Sequence, residues 1–572
     1  MEYRISYQNP HLQYIDIEVK FAAQGKEITK IYLPSWRPGR YELGNFAKNV
    51  QKLQAYNSNG KLIHSKKLTK DCWEIGGGNS EFVILKYNYY ANQLNAGSTY
   101  LDEEQLYVNP VNCLVYQEGY IDVPCTLKID VPKNYKIAIA LNESGKNLFK
   151  ANSYHELVDS PFIASPSIQH HSFEVAATKF HLWVQGIFKP DWEKIESDFI
   201  AYTKEQIKLF GEFPVTDYHY LFQILPYSAY HGVEHSASTV IALGPAYSIL
   251  KREERYMDLL GVSSHELFHT WNVKRIRPAD LWPYDYNREN YTRMGYLTEG
   301  ATTWYGDLML YRSGVFSDVE FFKTFSQLMD RHFNNPGVLN LSVADSSFDT
   351  WLDGYEAGVP NRKSSIYVEG ALVTFLLDHE IRKSTRNESS FDDLLKGLFR
   401  DAYMKDRGVT EEMYRTLAEK LASKKLTTLF NKFIYGASNM SPVLKKALNY
   451  LGLEMLIEDA ENLEETSIGI KLKGQQVISI YPHSIASEAG FKVGDQLMTL
   501  NGIEVKDDFS NWLEFYKEDQ IFVTVYRQIS GIKQLSFTND SKRKFYRKYS
   551  IKKIDKLTAE QQENFNAWKK TT

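Results

Sequence analysis

Two histidines, His265 and His269, stand four positions apart near the middle of the chain, with Glu266 directly after the first, in "SSHELFHTWNVKRIRP" (Ser263 to Pro278). On a helix, positions i and i+4 project from one face about 40° apart, so both imidazoles can approach a single ion. Zinc suits such a pair because it accepts neutral imidazole nitrogens in a tetrahedron. Glu266 is displaced by about 100° around the axis, which aims it at water beside the ion rather than at the ion. A general base next to a Lewis acid is what amide hydrolysis requires. The competing reading is a surface amphipathic helix that contains two histidines. Helical context favours the metal: Ser263 or Ser264 could cap a helix, and Leu267 and Phe268 could face a core.

A catalytic zinc needs a third protein ligand and an open fourth position. Glu299, in "GYLTEGATTWYGDL", is the candidate. It lies 30 residues beyond His269, on a second predicted helix, among Tyr296, Leu297, Trp304 and Tyr305. A carboxylate among such neighbours must be paired or bound to metal. The alternative is a surface glutamate at a helix start, where the helix dipole favours it.

These residues need a frame. Residues 1–170 alternate in "HLQYIDIEVKF", "EFVILKYNYYA", "CTLKIDVP" and "KIAIALN", which predicts a β-sandwich of short strands. Within it "LPSWRPGRYELGNF" (Leu33 to Phe46) reads as a loop with packed aromatics. Residues 171–455 open with the strands "YHYLFQILPY" and "STVIALG". They then carry apolar residues at three- and four-residue spacing, as in "DWEKIESDFIAYTKEQIKLFGEF" and "YVEGALVTFLLDHEIRKS", which predicts a mainly helical domain. Strands return over 456–542, and 543–572 read as a basic tail ending in a short helix. The fold class expected is multidomain α+β.

Composition excludes other classes. With 572 residues, 43% of them hydrophobic, the chain can build several cores. A net charge of −4 points to neither nucleic acid nor a membrane surface. Three scattered cysteines, Cys72, Cys113 and Cys125, fit neither a disulfide framework nor a cysteine zinc site. The first residues lack the basic start and apolar run of a signal peptide, and no stretch is long and apolar enough to span a membrane. A cytoplasmic protein is the expectation, with a removed leader as the alternative.

"HELFHTWNVKRIRP" followed by "EGATTWYGDL" resembles the M61 family of glycyl aminopeptidases, gluzincin zinc peptidases with a thermolysin-like catalytic domain. "LPSWRPGRYELGNFAKNV" is similar to that family's proline-rich loop, "YHGVEHSAST" to its Gly-Gly-x-Glu-His segment, and "SSIYVEGALVTFLLD" to its Tyr-x-x-Gly helix. The resemblance covers about residues 1–540. It implies one zinc ion held by His265, His269 and Glu299, Glu266 as the base that activates water, and Tyr367 as a donor to the developing oxyanion. Glu234 would hold the α-ammonium of a peptide with a free N-terminus, and the backbone of Gly232 and Val233 would pair with the substrate. The first glycine of the family pattern is His231 here, a larger side chain beside that subsite. Taken alone, the Glu234 segment reads as a tight loop with a surface glutamate.

Residues 456–542 resemble a PDZ domain. "SIGI" (Ser467, Ile468, Gly469 and Ile470) would be its carboxylate-binding loop, although it lacks a second glycine. The expected activity is removal of small N-terminal residues, Gly or Ala, from peptides. The rivals are a zinc endopeptidase with the same machinery and a PDZ peptide-binding protein with a structural metal.

Overall fold

The computed structural model describes residues 1–571 except 24, 26, 78, 79, 250–253, 357, 518 and 541. Ser541, within the expected region 456–542, and Thr572, within the expected tail, lie outside the described residues.

The N-terminal part is mainly β up to about residue 166, with short helices at Pro110–Cys113 and Tyr154–Val158. Tyr14–Ala22 pairs antiparallel with Phe82–Tyr90 along nine positions of an eight-stranded sheet. Its alternation buries Ile15, Ile17, Val19 and Phe21 on one face, as period-two patterning dictates. Two four-stranded sheets share that core through Ile31, Trp73, Ile75, Leu106 and Phe162. All three cysteines are buried and free.

The middle part starts with a five-stranded sheet: β1 (Gln169–Val175), β2 (Thr178–Gly186), β3 (Asp217–Ile224), β4 (Ala229–Glu234) and β5 (Ser238–Gly244). Its order is β1-β2-β3-β5-β4, so β4 is an edge strand. The residues read as a tight loop at "YHGVE" are therefore extended, and Glu234 is 5% exposed rather than on the surface. Four helices then matter for the site: α1 (Glu254–Phe268), α2 (Thr302–Arg312), α3 (Asp318–Phe333) and α4 (Ile366–Thr385). Ser263 and Ser264 cap nothing. They lie fully buried inside α1, and the Ser264 hydroxyl donates to Gly306 O at 2.7 Å. The α3 start is a capping box of Ser317 and Glu320, and the α4 start is capped by Ser365.

Residues 463–538 form a separate unit with its own core of Ile468, Val477, Leu500, Val523 and neighbours, around a six-stranded sheet. The last segment is not a free tail. β6 (Leu453–Asp459) pairs with β7 (Arg547–Lys553), from Leu453↔Lys553 to Asp459↔Arg547. α5 (Ala559–Trp568) then buries Phe565 and Trp568 in the core of the middle part. The Trp568 carbonyl accepts from Arg312 at the end of α2, at 3.1 Å. Nine Lys and Arg in the 30 residues 543–572 suggested a solvated segment, but the few large apolar residues among them decide its place. No described helix is long and apolar enough to cross a membrane.

Candidate metal centre and cleft

α1 ends at Phe268, yet the His269 N–H still donates to His265 O at 3.2 Å, so the i,i+4 relation survives the helix end. The two Nε2 atoms face each other at 3.0 Å. Glu299 Oε2 lies 3.5 Å from His269 Nε2 and 3.8 Å from His265 Nε2. Ligand atoms of a tetrahedral zinc site with bonds of about 2.0–2.1 Å stand roughly 3.3 Å apart, so the triangle has the right size. The tautomer is set as well. His269 Nδ1 lies 2.7 Å from Asn272 O, which fixes its proton there and leaves the Nε2 lone pair for an ion. The donor set thus fits zinc.

A second group, Glu234, Glu266 and His269, is also close enough to share an ion. It uses the same His269, so the two groups cannot both be filled. Only the first places two imidazole nitrogens beside one carboxylate.

Glu299 sits in a π-helical turn, Tyr296–Ala301, that leads into α2. Such turns recur at functional sites. A Cβ on Gly300 would fall 2.3 Å from Gly370 Cα, and one on Gly370 would fall 2.7 Å from Gly300 Cα. This glycine crossing brings α4 against the turn. Tyr367, one helical turn before Gly370, thereby lines the same cleft as Glu299. Burial and the Glu299 charge hold its phenol well above the ordinary tyrosine value, so it remains a neutral donor.

Glu266 is 5% exposed and its Oε2 has no partner. Burial pushes its carboxyl up. His269 opposes that shift, and the charges of Glu234 and Glu299 add to it. Glu234 also has a partnerless oxygen, Oε1. Its other oxygen packs on Gly39, where a Cβ would fall 2.5 Å away and where φ is +81°. Gly232 and Glu234 thus bring their functional atoms together. Val233 turns its side chain into a small core with Tyr107 and Val240, so it offers the cleft only backbone. The cleft, of about 700 Å³, includes His231, half-buried as expected of a larger side chain there.

The residues after the histidines carry structural weight. Asn272 donates to Leu297 O at 2.8 Å and to Thr302 Oγ1 at 3.0 Å, tying the histidine segment to the turn that carries Glu299. Lys274 Nζ donates to Asp159 of the N-terminal part at 2.8 Å. Asp159 also accepts from the Ser236 N–H at 2.9 Å and lies 3.0 Å from His235 Nδ1. Sequence reasoning missed Asp159, because no local pattern marks it. It also missed Arg37, Arg40 and Tyr355, which line the cleft. The two arginines around "PG" in the proline-rich loop were the available signal. That loop docks through Trp36, fully buried, whose indole donates to Asp285 O at 2.7 Å.

In the unit 463–538, Ser467 ends a short helix. The N–H groups of Ile468 and Gly469 both donate to Glu464 O, at 3.3 and 2.9 Å. Ile470 begins a strand and is fully buried.

Residues 2–166 match the Peptidase M61 N-terminal domain, and residues 258–373 match M61 glycyl aminopeptidase. No curated protein matches. Among solved structures, the chain is similar to an aminopeptidase N family protein from Idiomarina loihiensis. That match has 23% identity, covers 99% of each chain and has a TM-score of 0.91, so the two share a fold. It is also similar, at 14% identity and a TM-score of 0.48, to an M1 zinc metallopeptidase from Deinococcus radiodurans bound to a Tyr-Ser-Ala substrate, covering 77% of this chain and 94% of that one. Both its N-terminal part and the region of the two histidines and Glu299 are thus matched, so the chain carries the two domains of M61 peptidases.

Proposed function

We propose that the protein is a zinc aminopeptidase with one ion held by His265, His269 and Glu299. Zinc bound there supplies a Lewis acid that polarises the scissile carbonyl and acidifies water. Glu266, raised and unpaired, accepts the proton of the attacking water and hands it to the departing amine. Tyr367 donates to the carbonyl oxygen as it gains charge. Glu234 accepts hydrogen bonds from the substrate's α-ammonium, and the edge of β4 at Gly232 and Val233 lies beside the extended peptide.

The observation that carries the reading is the free oxygen of Glu234. A buried carboxylate needs a cationic or donor partner. Here it stands within 4.8 Å of Glu266 and His269, close to where the scissile bond must lie. An N-terminal ammonium one residue from that bond is the partner that fits. The resemblance to glycyl aminopeptidases implies Gly or Ala as the residue removed. The test is release of amino acid from aminoacyl anilides, with and without chelator, against their N-acetyl forms. Equal cleavage of blocked and free forms would make it an endopeptidase.

We read residues 456–542 as a PDZ-like module that serves packing rather than capture of a chain terminus. Two of the N–H groups such a loop would offer are already spent on Glu464, and Gly469 is packed against Ser484 and Phe545. The domains are then 1–170, a catalytic domain 171–455 completed by 543–572, and the module between them.

A further inference from the structure

Arg37 comes from the proline-rich loop of the N-terminal part and lines the cleft with Glu234, Glu266 and His231. It is 5% exposed. Its guanidinium is seated on Gly97, where a Cβ would fall 2.3 Å from Cζ, Nε and Nη2 alike. Its one hydrogen bond is a long 3.4 Å contact from Nη1 to the carbonyl of Pro38, its own neighbour. Among the described residues no carboxylate comes within ion-pairing distance of it. Arg40, by contrast, pairs with Glu42 and lies over the Tyr355 ring at 5.0 Å.

An arginine keeps its charge even when buried, and a buried charge without a counter-ion is costly unless something else completes it. Burial and the Arg40 charge hold the Arg37 guanidinium below the ordinary arginine value; the Glu234 charge opposes that, but the two do not pair. One end of the cleft therefore holds a carboxylate with a free oxygen and a guanidinium with free donors. The molecule complementary to both carries an ammonium and a carboxylate on one residue. His231, near both arginines, is lowered to about 3 by burial and by their charges, so it adds no third cation. A side-chain carboxylate would meet the guanidinium fork in the two-pronged geometry arginine favours.

We propose that Arg37 is a specificity residue that receives the side-chain carboxylate of an N-terminal glutamate or aspartate. This rests on the aminopeptidase reading and replaces its preference for small residues: Gly and Ala satisfy Glu234 but leave Arg37 without a partner.

The test compares kcat/KM for glutamyl, glutaminyl, aspartyl, asparaginyl and alanyl anilides. In the wild type the acidic substrates should exceed their amides by about tenfold or more, the scale of one charge-assisted contact. Arg37→Gln should abolish that ratio, read as acid over amide within the same variant so that any general loss of activity cancels. Arg37→Lys keeps the charge without the fork and should retain only part of the ratio. Equal cleavage of acid and amide by the wild type overturns the proposal even if no variant folds. A ratio that survives Arg37→Gln overturns it too. Inhibition by free glutamate and free alanine is the second arm. If both inhibit equally and Arg37→Gln relieves both, Arg37 holds the α-carboxylate of the released product, and the proposal is wrong. If no anilide is cleaved, alanyl included, the aminopeptidase reading falls and takes this one with it. Alanyl cleavage without an acidic preference sinks the specificity claim alone.

Discussion

A Cβ placed on Gly232 would stand 2.0 Å from Oε1 of Glu266. The edge strand and the helix of the histidines approach so closely that only a glycine leaves room for the Glu266 carboxylate. Gly232→Ala must therefore displace the carboxylate. A misplacement of about 1 Å costs on the order of a hundredfold in rate. We expect kcat to fall by about that factor. The metal content should be unchanged, because the atoms nearest the new methyl group all belong to Glu266. Kinetics alongside metal analysis of the purified variant checks it.

The two kinds of glutamate should separate cleanly. Glu266→Gln should reduce kcat/KM by about 10²–10⁴-fold, the range of a lost general base, and keep the ion. Glu299→Ala should lose the ion, with inactivity as a consequence. If the Glu266 variant loses the metal instead, the roles assigned to the two are reversed.

Asp159 gives a pH dependence. Burial raises its carboxyl, but the Lys274 charge and the hydrogen bond from His235 outweigh that and hold it far below the usual carboxylate range. A carboxyl depressed in the folded state stabilises it fully above the unfolded value, near 3.9, and progressively less as pH falls below that. Asp159→Asn leaves Lys274 buried without its counter-ion, which costs about 3–5 kcal/mol. Urea midpoints should therefore show a wide gap between wild type and variant at pH 6–7. That gap should narrow below about pH 4. A gap that is constant with pH would mean that the ion pair contributes little.

The module of residues 460–546 enters and leaves the catalytic part at paired positions, Asp459 and Arg547. Replacing it by a short Asn-Gly turn would convert β6 and β7 into a plain hairpin. We expect the shortened protein to fold and to keep its activity on anilides within a few-fold. Loss of activity with intact folding would assign the module a part in handling substrate.

Much of the centre was legible in the sequence, because its residues sit close together along the chain or at helical spacing. His265 and His269 stand at helical spacing with Glu266 directly after the first, and Glu299 follows in a run rich in aromatics. The Tyr-x-x-Gly helix was legible only as a resemblance. The reason for its glycine, the backbone contact with Gly300, exists only between helices. The contacts that brace the histidine segment from behind were illegible for the same reason. Asp159 is 115 residues from Lys274, and nothing around it differs from an ordinary turn. The final segment was misread because charge dominates its composition, while Phe565 and Trp568 determine where it packs.

The seam between β6 and β7 has a consequence for how the molecule is built. Arg312, at the end of the helix that follows Glu299, finds its partner Trp568 256 positions later. Contacts of such separation close a long loop before they return any stability, and so form slowly. The centre is thus held by a clasp that can be fastened only after the intervening module has been made. Until then the helices around the metal ligands lack Phe565 and Trp568. An incomplete chain should be a loose, poorly ordered peptidase rather than a small active one.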